Sequence, residues 1–209
     1  MSSSPTPAEN IYADRVFRSS AGMGGGVLLL ALVAWIAGDA LVRGEGRTPW
    51  IALAGALLVV PVVVAFTMRP AVFANDDRLR IRNPFRTITL PWGDVADVRA
   101  SFSSEVFTQD GKKVQLWAVP VSLRQRKRVS RRQMQRAHDD PHGRTSVNAD
   151  VSDKARLAPA DQTVADLREM AERNASRPEA QGRMQVRWAY ELLAPTLAGL
   201  VLLIVLLAV

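Results

Sequence analysis

Three stretches of the chain are almost wholly apolar. Gly22–Leu41 (GMGGGVLLLALVAWIAGDAL) holds one charge, Asp39, near its end, while Trp50–Met68 (WIALAGALLVVPVVVAFTM) and Leu192–Val209 (LLAPTLAGLVLLIVLLAV) hold none. About 20 mostly apolar residues suffice for a helix to cross the hydrocarbon core. None of the three has the one-sided apolar stripe of a helix on a soluble domain. Each therefore predicts a transmembrane helix. The first, preceded only by Arg15 and Arg18 and followed closely by the second, reads as a retained span rather than a cleaved signal peptide. Pro61 and Pro195 fall inside spans two and three; lipid tolerates them where neighbours satisfy the freed carbonyl. Small residues four apart (Gly22 and Gly26, Ala52 and Ala56, Ala194 and Ala198) would let helices approach closely. Trp50, Trp188 and Tyr190 stand at span ends, where amphipathic rings prefer to sit.

Between spans two and three the period changes from continuous to alternating. RLRIRN (78–83) sets Leu79 and Ile81 against Arg78, Arg80 and Arg82. TITLPW (87–92) aligns Ile88, Leu90 and Trp92, DVRASF (97–102) aligns Val98, Ala100 and Phe102, and KKVQLWAV (112–119) aligns Val114, Leu116 and Ala118. With AVFAN (71–75) and SEVFTQ (104–109) these read as strands with one buried and one wet face, as in antiparallel sheets. Asn75-Asp76-Asp77, Asn83-Pro84 and Asp110-Gly111 punctuate them, the last suited to a two-residue hairpin turn. Short, evenly spaced strands predict a small sandwich or barrel. In ADQTVADLREMAERNASRP (160–178) the apolar positions Val164, Leu167, Met170 and Ala171 recur at helical spacing, with Asn174 completing the stripe. Such a short helix must pack on something, and the open end of the sandwich is the expected place.

Charge refines this picture. The chain of 209 residues has a formal net charge of +7 and a pI near 10.7, yet its mean hydropathy is +0.01. A basic pI alone would suggest a nucleic-acid binder; the apolar spans account for the balance instead. There is no cysteine, which excludes disulfides and thiolate metal sites. Arg and Lys are sparse between spans one and two (Arg43, Arg47). They are dense after span two (Arg69, Arg78, Arg80, Arg82, Arg86) and before span three (Arg173, Arg177, Arg183, Arg187). The positive-inside rule then predicts a membrane protein with its N-terminus and central segment inside and its C-terminus outside.

The densest basic run is VSLRQRKRVSRRQMQRAHDDPHG (121–143), with Arg124, Arg126, Lys127, Arg128, Arg131, Arg132 and Arg136. It lies on an excursion of about 120–160, poor in large apolar residues and expected to be disordered. Three readings stay open: a solvated loop, a contact for anionic lipid headgroups, or a contact for a protein or nucleic-acid partner. The nearby membrane favours lipid over nucleic acid, since basic residues near an anionic leaflet each contribute about 1 kcal/mol and the run has no aromatic stacking platform. His138, Asp139, Asp140 and His142 are the one ligand-type cluster, but a loop without a rigid second layer of partners is a poor metal site. No nucleophile elbow and no P-loop follow from the sequence. No metal, cofactor or catalytic residue is therefore expected.

The stretch RPAVFANDDRLRIRNPFRTITLPWGDVADVRA (69–100) resembles the bacterial pleckstrin-homology (PH)-domain membrane proteins. In that family spans precede a strand, a turn, a second strand and a proline–tryptophan pair before an acidic turn, here Pro91-Trp92-Gly93-Asp94-Val95. The Asp110-Gly111 turn followed by KVQLWAVP also fits, so the resemblance covers roughly 15–120 plus the helix at 161–175. It implies a PH fold of seven strands closed by a C-terminal helix. One strand fewer is legible, with Val119–Leu123 as the candidate seventh. The first hairpin loop, Asn75-Asp76-Asp77, is acidic where phosphoinositide-binding members are basic, so no phosphoinositide site is carried over.

The expected protein is an α+β membrane protein with three transmembrane helices and a PH-like small β-sandwich or barrel closed by an amphipathic helix. Its parts are a disordered tail (1–21), a transmembrane hairpin (22–68), a cytoplasmic PH-like domain (70–176) and a third span (188–209). Its expected role is non-enzymatic binding or scaffolding at the inner leaflet. Anionic lipid, a protein partner or a second copy of the chain are the candidate partners, and nucleic acid is not expected. The alternative is a structural subunit of a larger membrane complex with the PH-like domain as a protein-interaction spacer.

Overall fold

A computed structural model describes residues 14–124, 127–131 and 158–208. Three of its helices are long and apolar enough to cross a membrane: α1 (Ser20–Arg43), α2 (Thr48–Val63) with its π-helical continuation Val64–Met68, and α4 (Tyr190–Ala208). Ser19 caps α1, its hydroxyl accepting from the Gly22 N–H at 3.1 Å. The helix thus begins two residues before the apolar stretch. Pro61 lies inside α2 and lacks the N–H of a regular turn; the wider π turn follows three residues later, as is common where the ladder is interrupted. Helix α2 runs between α1 and α4 and touches both. The contacts are made by glycines. A Cβ on Gly26 would stand 2.2 Å from Thr67 Oγ1, and one on Gly199 would stand 2.5 Å from the Leu58 backbone nitrogen. Ala194 and Ala198, expected at this contact, face outward. Most other side chains of the three helices are exposed and apolar, as contact with lipid tails requires.

The remaining elements form two antiparallel sheets. The first has five strands: β1 (Arg15–Phe17), β2 (Ala71–Ala74), β3 (Arg78–Arg82), β4 (Arg86–Pro91) and β8 (Gln185–Trp188), in the order β1-β2-β3-β4-β8. The second is the meander β5 (Val95–Ala100), β6 (Ser104–Thr108) and β7 (Lys113–Gln115). Among the described strands no ladder joins the two sheets. The inward faces carry the alternation expected of them: Val72, Leu79, Ile81, Ile88 and Leu90 from one sheet meet Val98, Val106 and Val114 from the other. Helix α3 (Pro159–Asn174) lies on β5 and adds Val164, Leu167 and Met170 to the same core. Its buried stripe, with Ala171 and Asn174, is the one its sequence predicts.

Trp92 turns the corner between the sheets. It sits in a single 3-10 turn, Trp92–Asp94, fully buried, and its indole Nε1 donates to the Asn75 carbonyl at 2.7 Å. It is therefore a pivot after β4 rather than the last residue of that strand. Asp94 closes the same corner from the other side, accepting from the Met184 N–H at 3.0 Å.

Several expectations need correction. Residues 15–17, placed in a disordered tail, form edge strand β1; residues 1–13 lie outside the described set. Residues 185–187, left unassigned, and Trp188, placed in the third span, form the opposite edge, β8; the helix itself begins at Tyr190. Val119–Leu123 is not a strand. Phe102 is 87% exposed in the β5–β6 turn instead of continuing the Val98 face. The β6–β7 connection is a three-residue loop: the Gly111 N–H donates to the Thr108 carbonyl and the Thr108 N–H to the Lys112 carbonyl, both at 3.0 Å. Gly111 sits at φ +78°, the left-handed position such loops require.

Candidate functional site

The residues of β3 alternate, so Leu79 and Ile81 enter the core and Arg78, Arg80 and Arg82 take the outer face. Antiparallel register extends that face across the sheet. Arg82 stands opposite Thr87, which stands opposite Arg187; one step along, Phe73, Arg80, Thr89 and Gln185 form a second row. A threonine separates the two arginines of the first row, and like charges directly opposite one another would be destabilising.

The three long helices add their junctions to this face. Arg18 links β1 to α1, Arg69 follows the π turn of α2, and Trp188 and Glu191 flank the passage from β8 into α4. Together these residues line an open groove of about 700 Å³. Among the described residues its lining holds six arginines (Arg18, Arg69, Arg78, Arg80, Arg82 and Arg187) against one carboxylate, Glu191.

Some of these charges are held in place. Arg69 donates to Glu191 at 2.8 Å and to the Thr87 hydroxyl at 3.4 Å. Arg80 pairs with Asp14 at 2.9 Å and lies 4.6 Å above the Phe73 ring, an attraction of cation and π face. The Arg82 and Arg18 guanidiniums stand 5.8 and 5.9 Å from the same ring. The balance is nevertheless incomplete. Arg82 has no carboxylate within 4.0 Å among the described residues. Burial, and then the charges of Arg69, Arg18 and Arg80, hold its guanidinium below the ordinary arginine value, with Glu191 opposing. The Arg69 side chain is only 10% exposed, and its Nε is buried with no hydrogen-bond partner. Planar guanidinium forks with spare donors, crowded together and short of anions, suit a phosphate or carboxylate ligand.

Four residues of the basic run are described, and none of the four lines this groove. Arg124, Lys127, Arg128 and Arg131 are exposed, the last three on a helical stretch at 127–131. Arg126, Arg132 and Arg136 lie outside the described residues, as do His138, Asp139, Asp140 and His142. No group of three or more metal-ligating side chains occurs among the described residues. The acidic first hairpin loop has an internal partner: Arg177, beyond α3, reaches Asp76 at 3.5 Å and Asp77 at 3.7 Å. Sequence reasoning missed the groove although every arginine in it is visible. Arg78, Arg80 and Arg82 read as a wet strand face, and Arg18, Arg69 and Arg187 read as charges flanking spans. The signal available for Arg18, Arg69 and Arg187 was their proximity to span ends.

The groove thus lies on a two-sheet core with helix α3 packed on it, joined to three helices long and apolar enough to cross a membrane. Residues 69–142 match the family model described as a bacterial PH domain. The match starts at the arginine that follows α2 and leaves β1, α3 and β8 outside it. No curated protein and no solved structure matches the chain significantly.

Proposed function

We propose that this chain is a non-enzymatic, membrane-anchored PH-like binding protein of the bacterial cytoplasmic membrane. Its domain acts at the inner leaflet, with the N-terminus inside and the C-terminus outside. PH domains are in general binding modules, and the described lining of the groove offers cations and hydroxyls. One observation carries the reading: the arginine-lined face of the first sheet lies where all three long helices leave the domain. Edge strands β1 and β8 run directly into α1 and α4. The sheet is thus tied to the bilayer by short connections at both edges and by Arg69 in the middle. A domain held this way meets lipid headgroups continuously, and a scaffold role would use the faces turned away from the membrane. Arg78, Arg80, Arg82 and Arg187, with the basic run that includes Arg124, Lys127, Arg128 and Arg131, supply the positive surface.

Hydrogen exchange of the full chain in nanodiscs tests this reading. Anionic lipid should protect 15–18, 78–89 and 185–188 relative to neutral lipid, and salt should weaken the difference. Equal exchange in both lipids would overturn it.

A further inference from the structure

We propose that the groove holds the phosphate of one anionic phospholipid, gripped between Arg69, Arg82 and Arg187. This deepens the membrane-anchored reading and rests on it. Depth places the ligand. Helix α2 with its π turn has 21 residues, a length of about 31 Å at 1.5 Å per residue, close to the hydrocarbon thickness of about 30 Å. Arg69 is the next residue, Arg18 lies two residues before α1, and Glu191 is in the first turn of α4. All three helix ends therefore put the groove at headgroup level.

Spacing fits a single phosphate. Arg82 and Arg187 share one row with Thr87 between them. Their backbones are two strand spacings apart, about 9.6 Å, a gap that two extended guanidinium arms can close from either side. The Thr87 hydroxyl lies beneath, and Glu191 fixes one edge of Arg69. Arg69 supplies the second, independent sign of a ligand. A side chain nine-tenths buried in the groove wall keeps an unpartnered Nε, and buried donors are ordinarily satisfied. The excess of arginines over carboxylates selects a lipid with net negative charge over a zwitterionic one.

Native mass spectrometry of the full chain in detergent tests the assignment, with phosphatidylglycerol and phosphatidylcholine offered at equal concentration. The wild type should prefer phosphatidylglycerol. Arg82→Gln with Arg187→Gln should weaken that binding about thirty-fold, from about 1 kcal/mol for each charge removed. Arg82→Lys with Arg187→Lys, which keeps the charge, should retain a preference and so shows that the fold survives. A variant with Arg124, Lys127, Arg128 and Arg131 changed to Gln, which leaves the groove lining intact, should lose less binding than the Arg82 and Arg187 pair. No lipid preference in the wild type, full binding by the Gln pair, or loss only in the run variant would overturn the proposal. Displacement of the lipid by equimolar inorganic phosphate would assign the site to a soluble phosphate and overturn the lipid source. Carbonate extraction reports membrane integration separately, so a failure of anchoring is distinguished from an empty groove.

Discussion

Trp92 holds the two sheets at their corner by one fully buried ring and one part-buried hydrogen bond. Trp92→Phe keeps most of the ring and leaves the Asn75 carbonyl without its indole donor, a loss of about 0.5–1.5 kcal/mol. Thermal unfolding in detergent should show the lowered transition. Gly199 is equally exacting for a steric reason. A leucine there would force α4 away from the backbone of Leu57 and Leu58, an overpacking cost of about 1–3 kcal/mol, and should loosen α4 from α2 in disulfide-trapping experiments. Asp110 gives a test by pH. Hydrogen bonds from Lys112 and then Thr108 lower its pKa from 3.8 to about 2. A carboxylate depressed on folding stabilises above its unfolded pKa, and the contribution fades as pH falls through its folded value. Acid unfolding of the wild type between pH 4 and 2 should therefore be steeper than that of Asp110→Asn.

At the scale of elements, what was legible followed from local pattern. Strands β3, β4 and β6 and helix α3 announce themselves because each alternates or repeats within its own length. Ile81, Ile88, Val106 and Leu167 are buried where that periodicity puts them. Strands β1 and β8 are three and four residues long, too short to display a period. They exist only through pairing with β2 and β4 across long sequence separations. The groove was illegible for the same reason: its arginines come from four separate segments, and the register that aligns them is a tertiary fact. This has a consequence for fragments. A piece covering 70–176 would leave β2 and β4 as unpaired edges, a recognised route to aggregation. Extending it to 189 restores β8, and circular dichroism should show a higher unfolding temperature for the longer piece. Leu167→Ala probes the other side of the core. It removes a fully buried side chain between α3 and the sheets, and a loss of about 2–5 kcal/mol is expected in denaturant unfolding.

At the scale of the whole molecule, three apolar helices and a PH-like domain share one boundary, and the arginine groove lies on it. The chain has no cysteine, so single cysteines can report the side of the membrane without background. Glu45 lies in the short α1–α2 connection, and Phe102 projects from the β5–β6 turn of the domain; both are exposed. Labelling intact cells with a membrane-impermeant maleimide tests the central claim most directly. The account predicts that Glu45→Cys reacts in intact cells and Phe102→Cys reacts only after permeabilisation. The reverse pattern, or reaction of both in intact cells, would contradict a domain held against the inner leaflet.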